Sequence, residues 1–137
     1  MKLLDKIKDV FEKHPFQSID IPKEYKNVYR YLDANPKEMK QFIPKKDVAY
    51  FIKKYQQHIP KGWYGFDGIG APTIPEWNLI LDEILEVLIA ADPDFEIYQI
   101  KIKFGGICFY VETNIIEDID EIEMLIMNKM HDKNLIY

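Results

Sequence analysis

Three histidines and one cysteine are the side chains best suited to metal binding or nucleophilic catalysis: His14, His58, His131 and Cys108. The histidines lie in separate segments, and the sequence has neither an HxxxH nor a CxxC spacing, so it offers no zinc-site pattern. Cys108 could act as a nucleophile only beside a base that the fold brings close. A lone cysteine forms no intramolecular disulfide, which suits the reducing cytoplasm. We therefore expect no metal site, and we expect Cys108 to be a small apolar side chain on a strand.

Carboxylates are most crowded at the start of the last predicted helix, around Asp118, Asp120 and Glu121. A calcium site of the EF-hand type would need a glycine and a terminal glutamate at fixed spacing, and neither is present. Acids in the first turns of a helix suit the positive end of its dipole. We therefore expect a solvated helix start, which would also attract a basic partner.

A metal-dependent nuclease is the alternative that one short pattern suggests. Asp94 follows a proline, and Gln99 and Lys101 lie on the next predicted strand. This order is faintly similar to the PD-(D/E/Q)xK signature, in which acids hold a divalent ion and a lysine assists the attacking water. The gap is shorter than usual and one acid is replaced by an amide, so Asp82 or Glu86 would have to supply a ligand from the preceding helix. The competing interpretation is that Lys101 is a solubilising charge on an open sheet face.

The segment 61–77 combines glycines with aromatic side chains, since it holds four of the six glycines and both tryptophans. Glycines before a helix start can bind phosphate, but this spacing matches neither the Walker loop nor the Rossmann fingerprint. Thr73 and Glu76 form a capping box that occupies the first amides of the next helix. We therefore expect 73–77 to be a structural helix start and 62–70 to be the part that faces a partner.

The aromatic side chains of this segment have two interpretations. Trp63, Tyr64 and Phe66 either plug the seam between the two halves of the chain or anchor a partner, as tryptophan and tyrosine do in interfaces. Trp77 lies on a core-facing stripe, so we expect it to be structural. The predicted partner-binding residues, here and on the acidic helix, are Trp63, Tyr64, Phe66, Asp67, Asp118, Asp120 and Glu121.

The charge of the chain is divided between its two halves. Residues 1–61 carry 14 Lys and Arg against 8 Asp and Glu, whereas residues 62–137 carry 4 against 15. A net charge of −5 therefore hides a +6 half and a −11 half. The acidic half disfavours nucleic acid and favours a basic protein partner, with a field that speeds association. The alternative is that the halves face each other or interleave and leave an ordinary surface.

Hydrophobic periodicity predicts the elements that position these residues. Helical spacing of apolar residues predicts helices over 2–13, 22–32, 36 to about 44, 45–57, 74–91 and 117–133. An alternating pattern predicts strands over 95–104 and 107–113, joined by the two-residue turn Gly105-Gly106. The apolar run 79–91 is broken by three acids, so we expect no transmembrane helix.

A two-residue turn fixes the register of the predicted hairpin. The pairs expected on its apolar face are Phe104 with Ile107, Ile102 with Phe109, and Ile100 with Val111. The pairs expected on the solvent-facing side are Lys103 with Cys108, Lys101 with Tyr110, and Gln99 with Glu112. Because a lone hairpin is marginally stable, it should pack on the helices that precede and follow it.

The hairpin sequence of residues 99–111, QIKIKFGGICFYV, resembles a recurrent hairpin, roughly Q-x-K-x-K-F-G-G-L-R-F-Y, of small uncharacterised bacterial and phage-borne proteins. In those proteins it follows a helix that begins near a tryptophan, as Trp77 does here. The resemblance covers residues 62–113, and Cys108 stands where arginine is usual. It implies a setting of mobile elements and bacterial conflict, in which small inhibitors and immunity proteins are common, and it implies no catalytic residues.

The sequence as a whole predicts a single α+β domain. A helical part over 1–60 leads through a Gly/aromatic loop over 61–73 to a helix–hairpin–helix part over 74–137, with an antiparallel sheet of two or slightly more strands. The predicted function is a non-catalytic, cytoplasmic inhibitor of the immunity or anti-defence type, which occludes a basic protein partner without a cofactor. The alternatives are the nuclease and a structural accessory protein of a phage or mobile element.

Overall fold

A computed structural model describes residues 2–14, 22–25, 28–39, 46–67, 75–103 and 106–132. Within these ranges the helices are α1 Leu3–Lys13, α2 Val28–Ala34, α3 Pro36–Met39, α4 Val48–Lys54, α5 Pro75–Ala91 and α6 Ile116–Asp132. The strands are β1 Gly65–Asp67, β2 Glu96–Lys103 and β3 Gly106–Glu112. The predicted α+β class is confirmed.

The core lies between the helices and one face of the sheet. α5 is its centre, and the apolar stripe predicted for this helix is buried at Ile80, Leu81, Ile84, Leu85 and Leu88. α1 packs on α5 and on α6, and α6 packs on β3. The other buried apolar side chains of this cluster are Ile7, Val10, Phe11, Phe51, Tyr55, Phe66, Phe95, Ile97, Ile100, Phe109, Ile119, Ile122 and Ile126. Both halves of the sequence therefore contribute to one core.

The second predicted helix begins later than its apolar spacing indicates. Before α2 starts at Val28, the chain forms a turn in which the Tyr25 N–H donates to the Pro22 carbonyl oxygen over 3.0 Å. Asn35 then separates α2 from α3, and its side-chain amide donates to a backbone oxygen of α2 over 2.8 Å. The predicted extension of the third helix falls on residues 40–45, which lie outside the described residues.

Asp47 determines where α4 begins. Its carboxylate accepts a hydrogen bond from the Tyr50 N–H over 3.0 Å, which caps the helix at its N-terminus. The helix therefore starts at Val48 and not at Lys45 as predicted. It ends at Lys54, and a short 3-10 helix over Gln56–His58 replaces the predicted last turn.

β1 lies in the segment that the sequence predicted to be a loop, so the predicted loop over 61–73 is wrong at these residues. β1 pairs in parallel with β2, with Phe66 opposite Ile100, and makes the sheet a mixed sheet of order β1-β2-β3. The physical reason is Phe66, which is 3% exposed and packs on Phe51 and Tyr55 at ring-centroid distances of 5.2 and 6.0 Å. Burial of one aromatic side chain draws the glycine-rich segment onto the sheet.

The predicted hairpin exists, but its register is wrong by two residues. The observed pairs are Lys103 with Gly106, Ile102 with Ile107, Lys101 with Cys108, Ile100 with Phe109, Gln99 with Tyr110, Ile97 with Val111 and Glu96 with Glu112. This pairing is inconsistent with the predicted turn at Gly105-Gly106, because Gly106 is already paired in β3. A register shift of two residues does not exchange the faces of a strand, and Ile100 and Phe109 are buried while Tyr110 is exposed, as predicted. An irregularity between Ile97 and Gln99 adds one residue, Tyr98, to β2.

The outer side of β3 is closed by α6. β3 has β2 as its neighbour in the sheet, and on its other side the Phe109 N–H donates to Glu123 Oε1 over 3.1 Å. Burial of the Glu123 carboxyl raises its pKa, and the Phe109 N–H acts in the opposite direction. The net pKa of Glu123 lies above its ordinary value.

Several predicted features lie outside the part of the chain that the structure describes. These are Gly68, Gly70 and Thr73 of the glycine-rich segment, and the side chains of Asp67, Glu76 and Trp77. Among the helices that are described, none has the length and apolar composition required to cross a membrane.

Candidate functional site

An aromatic groove is formed by residues of β2, of β3 and of the segment just before β1. Its volume is about 480 Å³. Its lining consists of Trp63, Tyr98, Gln99, Lys101, Phe109, Tyr110 and Val111. Trp63 is 53% exposed and Tyr110 is 55% exposed, and Tyr64, the neighbour of Trp63, is 74% exposed. Large aromatic side chains therefore stand in solvent around one concave surface.

Tyr98 links this groove to the acidic end of the sheet. Its ring meets Trp63 edge-on, with ring centroids 4.9 Å apart. Its hydroxyl lies 3.0 Å from carboxylate oxygens of both Glu96 and Glu112, which face each other across β2 and β3. Hydrogen bonds to Glu96 and to Glu112 raise the pKa of Tyr98 to about 12, so the hydroxyl keeps its proton at neutral pH.

An acidic hollow of about 460 Å³ lies beside the groove. It is lined by Asp92, Asp94, Glu96, Glu112, Thr113 and Asn114. Asp92 is buried and holds the turn before α6, because it accepts hydrogen bonds from the Thr113 hydroxyl at 2.6 Å and the Asn114 N–H at 2.9 Å. Asp94, Glu96 and Glu112 are exposed, and no ion pair joins them to a cation in the described part of the chain.

Lys101 gives the groove a polarity along β2. Its ammonium lies 5.3 Å from the centroid of the Tyr110 ring, a cation–π arrangement. Lys101 is nearer the hairpin turn, whereas Glu96 and Glu112 lie at the opposite end of the two strands. The groove therefore runs from a positive end to a negative end.

The partner-binding residues predicted between 61 and 77 lie in three different settings. Trp63 lines the groove and is exposed, and Tyr64 is exposed next to it, so partner binding by both stays a prediction. Phe66 is buried, so its prediction as a partner-binding residue is wrong, because its ring packs into the core beside α4. The side chain of Asp67 lies outside the described residues.

The acids predicted on the last helix are near its start but do not line the groove or the hollow. Asp120 and Glu121 are exposed on α6, and Asp118 is half-buried. α6 begins four residues after Glu112, at the same end of the sheet as the acidic hollow. These carboxylates therefore add negative charge to this end of the protein without touching the groove itself.

Ion pairs join the two oppositely charged halves of the sequence. Lys13 and His14 pair with Glu83 at 3.5 and 2.7 Å, and two further lysines from the basic half reach acids of α5. Asp82, Glu83 and Glu86 of α5 are thereby paired with cations of the basic half. The exposed acids of the sheet end and of α6, among them Glu96, Glu112 and Asp120, remain available to a partner.

Most of these contacts converge on Asp82, and we call Asp82 and the four side chains that donate to it the Asp82 cluster. Lys46, Lys54 and Tyr50 donate to the Asp82 carboxylate over 2.9, 2.8 and 2.7 Å, and the Tyr55 hydroxyl donates to it as well. Burial of the carboxyl raises its pKa, but the hydrogen bonds from the two lysines and two tyrosines outweigh burial and lower it to about 2. The carboxylate is 3% exposed and fully partnered, so the cluster fastens α4 to α5.

The residues of the nuclease pattern are not brought together. Asp94 lines the acidic hollow, Lys101 lies over Tyr110 in the groove, and Asp82 belongs to the cluster on the other side of α5. Across the described residues, no group of three or more His, Cys, Asp or Glu side chains has an arrangement that could hold a metal ion. The geometry gives the nuclease alternative no support.

The histidines and the cysteine likewise occupy separate places. His58 Nδ1 lies 2.9 Å from the Phe95 carbonyl oxygen, next to the sheet, whereas His14 is paired with Glu83 at the end of α1. Cys108 is a half-buried free thiol on β3. The side chain of His131 lies outside the described residues.

No protein-family model matches this sequence, and no curated protein or solved structure is detectably similar to it. The groove and the charges around it are the features of this protein that bear on its function. Tyr98, Tyr110, Glu96 and Glu112 are site residues that the sequence did not single out. The alternating pattern did put Tyr110 on the solvent-facing side, but the irregularity that directs Tyr98 to the groove has no local sequence signal.

Proposed function

We propose that this protein is a non-catalytic inhibitor that binds a protein partner through the aromatic groove and covers a basic surface of that partner. The observation that carries the proposal is the exposure of Trp63 and Tyr110 around one concave surface, with Tyr64 exposed next to Trp63. Tryptophan and tyrosine bury large areas at low entropic cost, and they dominate the energetics of interfaces. Exposing three of them at one place is unfavourable for a protein that has no partner.

Charge supports a basic partner. The groove opens beside the acidic hollow, whose exposed carboxylates have no ion pair within the described part of the chain. The acidic end of α6 adds to the same region, and the whole chain carries a net charge of −5. A field of this sign accelerates the approach of a positively charged surface and makes association sensitive to salt.

More specifically, we propose that the protein is an inhibitor of the immunity or anti-defence type and that its partner is a toxin or a defence effector. The resemblance of residues 99–111 to a hairpin of bacterial and phage-borne proteins supports this class of inhibitor. Inhibition by occlusion of the partner requires no catalytic group. The proposed compartment is the cytoplasm, which suits a chain with a single cysteine, Cys108.

The test is capture of partners from the native host by the wild type and by a Trp63→Ala/Tyr64→Ala variant. Both residues are exposed, so the variant should keep the fold, which circular dichroism checks. We expect recovery of the specific partner to fall by about ten-fold or more, as for removal of an interface anchor. The matched control is Met124→Ala, which removes an exposed apolar side chain of α6 that does not line the groove. Equal recovery by the wild type and the double variant would refute the proposal.

A further inference from the structure

We infer that the anchor of the partner is an arginine side chain, seated at the Tyr98 end of the aromatic groove. Its guanidinium would lie against the rings of Tyr98 and Trp63 and donate hydrogen bonds to Glu96 and Glu112. The inference rests on the proposed function of the groove as a protein-binding surface, and it names the chemistry that the groove recognises.

The first argument is the apolar part of the groove. The rings of Trp63, Tyr98 and Tyr110 line a concave surface of about 480 Å³, and Trp63 and Tyr110 expose more than half of their surface there. A hydrated metal ion gains nothing from such a lining. The methylene groups of a long side chain bury apolar area there, while the charged end stays at the rim.

The second argument is the position of the negative charge relative to the rings. Glu96 and Glu112 are directly opposite each other on β2 and β3, and two like charges in that position destabilise the strand pair. The single hydroxyl proton of Tyr98 can be donated to one of the two carboxylates at a time, although both lie 3.0 Å from the oxygen. A cation with several N–H donors would satisfy both carboxylates and remove their repulsion.

The third argument is that a cation already lies over a ring at the other end of the groove. Lys101 sits over Tyr110 at 5.3 Å and fills the position nearer the hairpin turn. At the Tyr98 end, no cation of the described residues lies over Tyr98 or Trp63. The guest cation is therefore directed away from Lys101 and towards the carboxylates.

Arginine fits this place better than lysine does. A guanidinium is flat, so it stacks on an aromatic face while its N–H groups point outward in the same plane to carboxylate oxygens. An ammonium is a compact, strongly hydrated charge that has no flat face to place on a ring. Since the carboxylates lie at the hydroxyl edge of the Tyr98 ring, only the flat cation makes both contacts from one position.

The test is a titration of the full-length protein at low salt with three peptides of equal length: hexa-arginine, hexa-lysine and hexa-citrulline. Two-dimensional amide NMR follows binding, and comparison with Trp63→Phe assigns the Trp63 indole signal. We expect hexa-arginine to shift this indole signal and to bind about ten-fold more tightly than uncharged hexa-citrulline and about three-fold more tightly than hexa-lysine. We expect Glu112→Gln to weaken hexa-arginine about three-fold or more.

The matched control is Glu12→Gln, which changes the net charge equally on the exposed side of α1. If this variant weakens hexa-arginine as much as Glu112→Gln does, or if hexa-lysine binds as tightly as hexa-arginine, binding is unspecific attraction and the inference is wrong. It is also wrong if magnesium ions alone shift the Trp63 indole signal as hexa-arginine does, because the site is then merely acidic. Neither result affects capture of the native partner through Trp63 and Tyr64, so the two proposals fail separately.

Discussion

Asp82 shows how one residue can hold two elements together through charge. Its carboxylate is almost completely removed from water, and it compensates for the lost hydration with donors from Lys46, Tyr50, Lys54 and Tyr55. Such a group stabilises the fold only while all its partners are present, because a buried carboxylate without donors is strongly unfavourable. The lysines are about one-third exposed, and they lose less than a fully buried cation would if the carboxylate were removed.

Asp82→Asn should lower the free energy of unfolding by about 2–3 kcal/mol, since it removes the negative charge on which two lysines and two tyrosines converge. Urea denaturation followed by circular dichroism measures this change. The control is Glu86→Gln, because Glu86 is an exposed partner of Lys54 alone, and its change should stay within about 1 kcal/mol. Equal effects of the two substitutions would contradict the role of the cluster.

The same variant should have a signature in its pH dependence. The pKa of Asp82 is about 2 in the folded protein, below the ordinary value of 3.8, so the ionised group stabilises the fold fully above about pH 4. That contribution is lost as the pH falls towards about 2. The difference in stability between wild type and Asp82→Asn should therefore shrink over this window. A difference that stays constant would contradict the lowered pKa.

At the scale of single elements, the short strand β1 depends on a glycine that no other residue can replace without strain. Gly65 has a φ of +72°, and a Cβ at this position would overlap the side chain of Ile59. Gly62 has a φ of +88°, but a Cβ there would meet no atom within 4 Å. The two glycines therefore separate the cost of backbone conformation from the cost of a steric clash.

Gly65→Ala should destabilise the protein by about 2–4 kcal/mol, because it adds a clash with Ile59 to the strain of positive φ. Gly62→Ala should cost about 1 kcal/mol, since only the strain applies there. Thermal and urea unfolding of the two variants measure the difference. Equal losses would mean that β1 does not hold Gly65 against Ile59.

Periodicity predicted the elements better than it predicted their pairing. The prediction of the buried apolar stripe on α5 was correct, because burial of one helix face requires apolar residues spaced three and four positions apart. Asn78 and Asp82 were predicted to lie off this stripe, yet both are buried, because α4 and Lys46 cover that side of the helix. The prediction of the hairpin register failed because alternation of apolar and polar residues has a period of two and fits equally well after a shift of two residues.

The candidate site could be predicted only in part, because contacts between residues that are distant in the sequence form the groove. Trp63 and Tyr64 stand out in the sequence because they lie among glycines, and both are exposed. Phe66 has the same neighbourhood but is buried, because its ring packs on Phe51 and Tyr55 in the core. No local pattern shows that Tyr98, distant in sequence, completes the groove beside Trp63.

At the scale of the whole molecule, the opposite charges of the two halves of the sequence form ion pairs that hold the halves together. Lysines of residues 1–61 pair with acids of α5, and apolar side chains of α1 and α4 cover the same helix. We therefore expect that the two halves of the sequence do not fold independently. The negative charge available to a partner is what remains after this pairing.

A fragment of residues 62–137 should consequently fail to fold, because it would expose the faces of α5 and α6 that Ile7, Val10, Phe11 and Phe51 cover. The full chain should unfold in one transition, with coincident changes in circular dichroism and tryptophan fluorescence. Thermal scans of both proteins test the idea. A cooperative transition of the isolated fragment would contradict it.

The contact of Glu123 with the Phe109 N–H bears on how this protein behaves when it is crowded. An exposed strand edge is a template on which further chains can add, and β3 is rich in residues that favour aggregation. The carboxylate occupies one donor of that template and places a negative charge beside it. We therefore expect Glu123 to oppose the addition of further chains at the edge of β3, the strand that also carries Tyr110 of the groove.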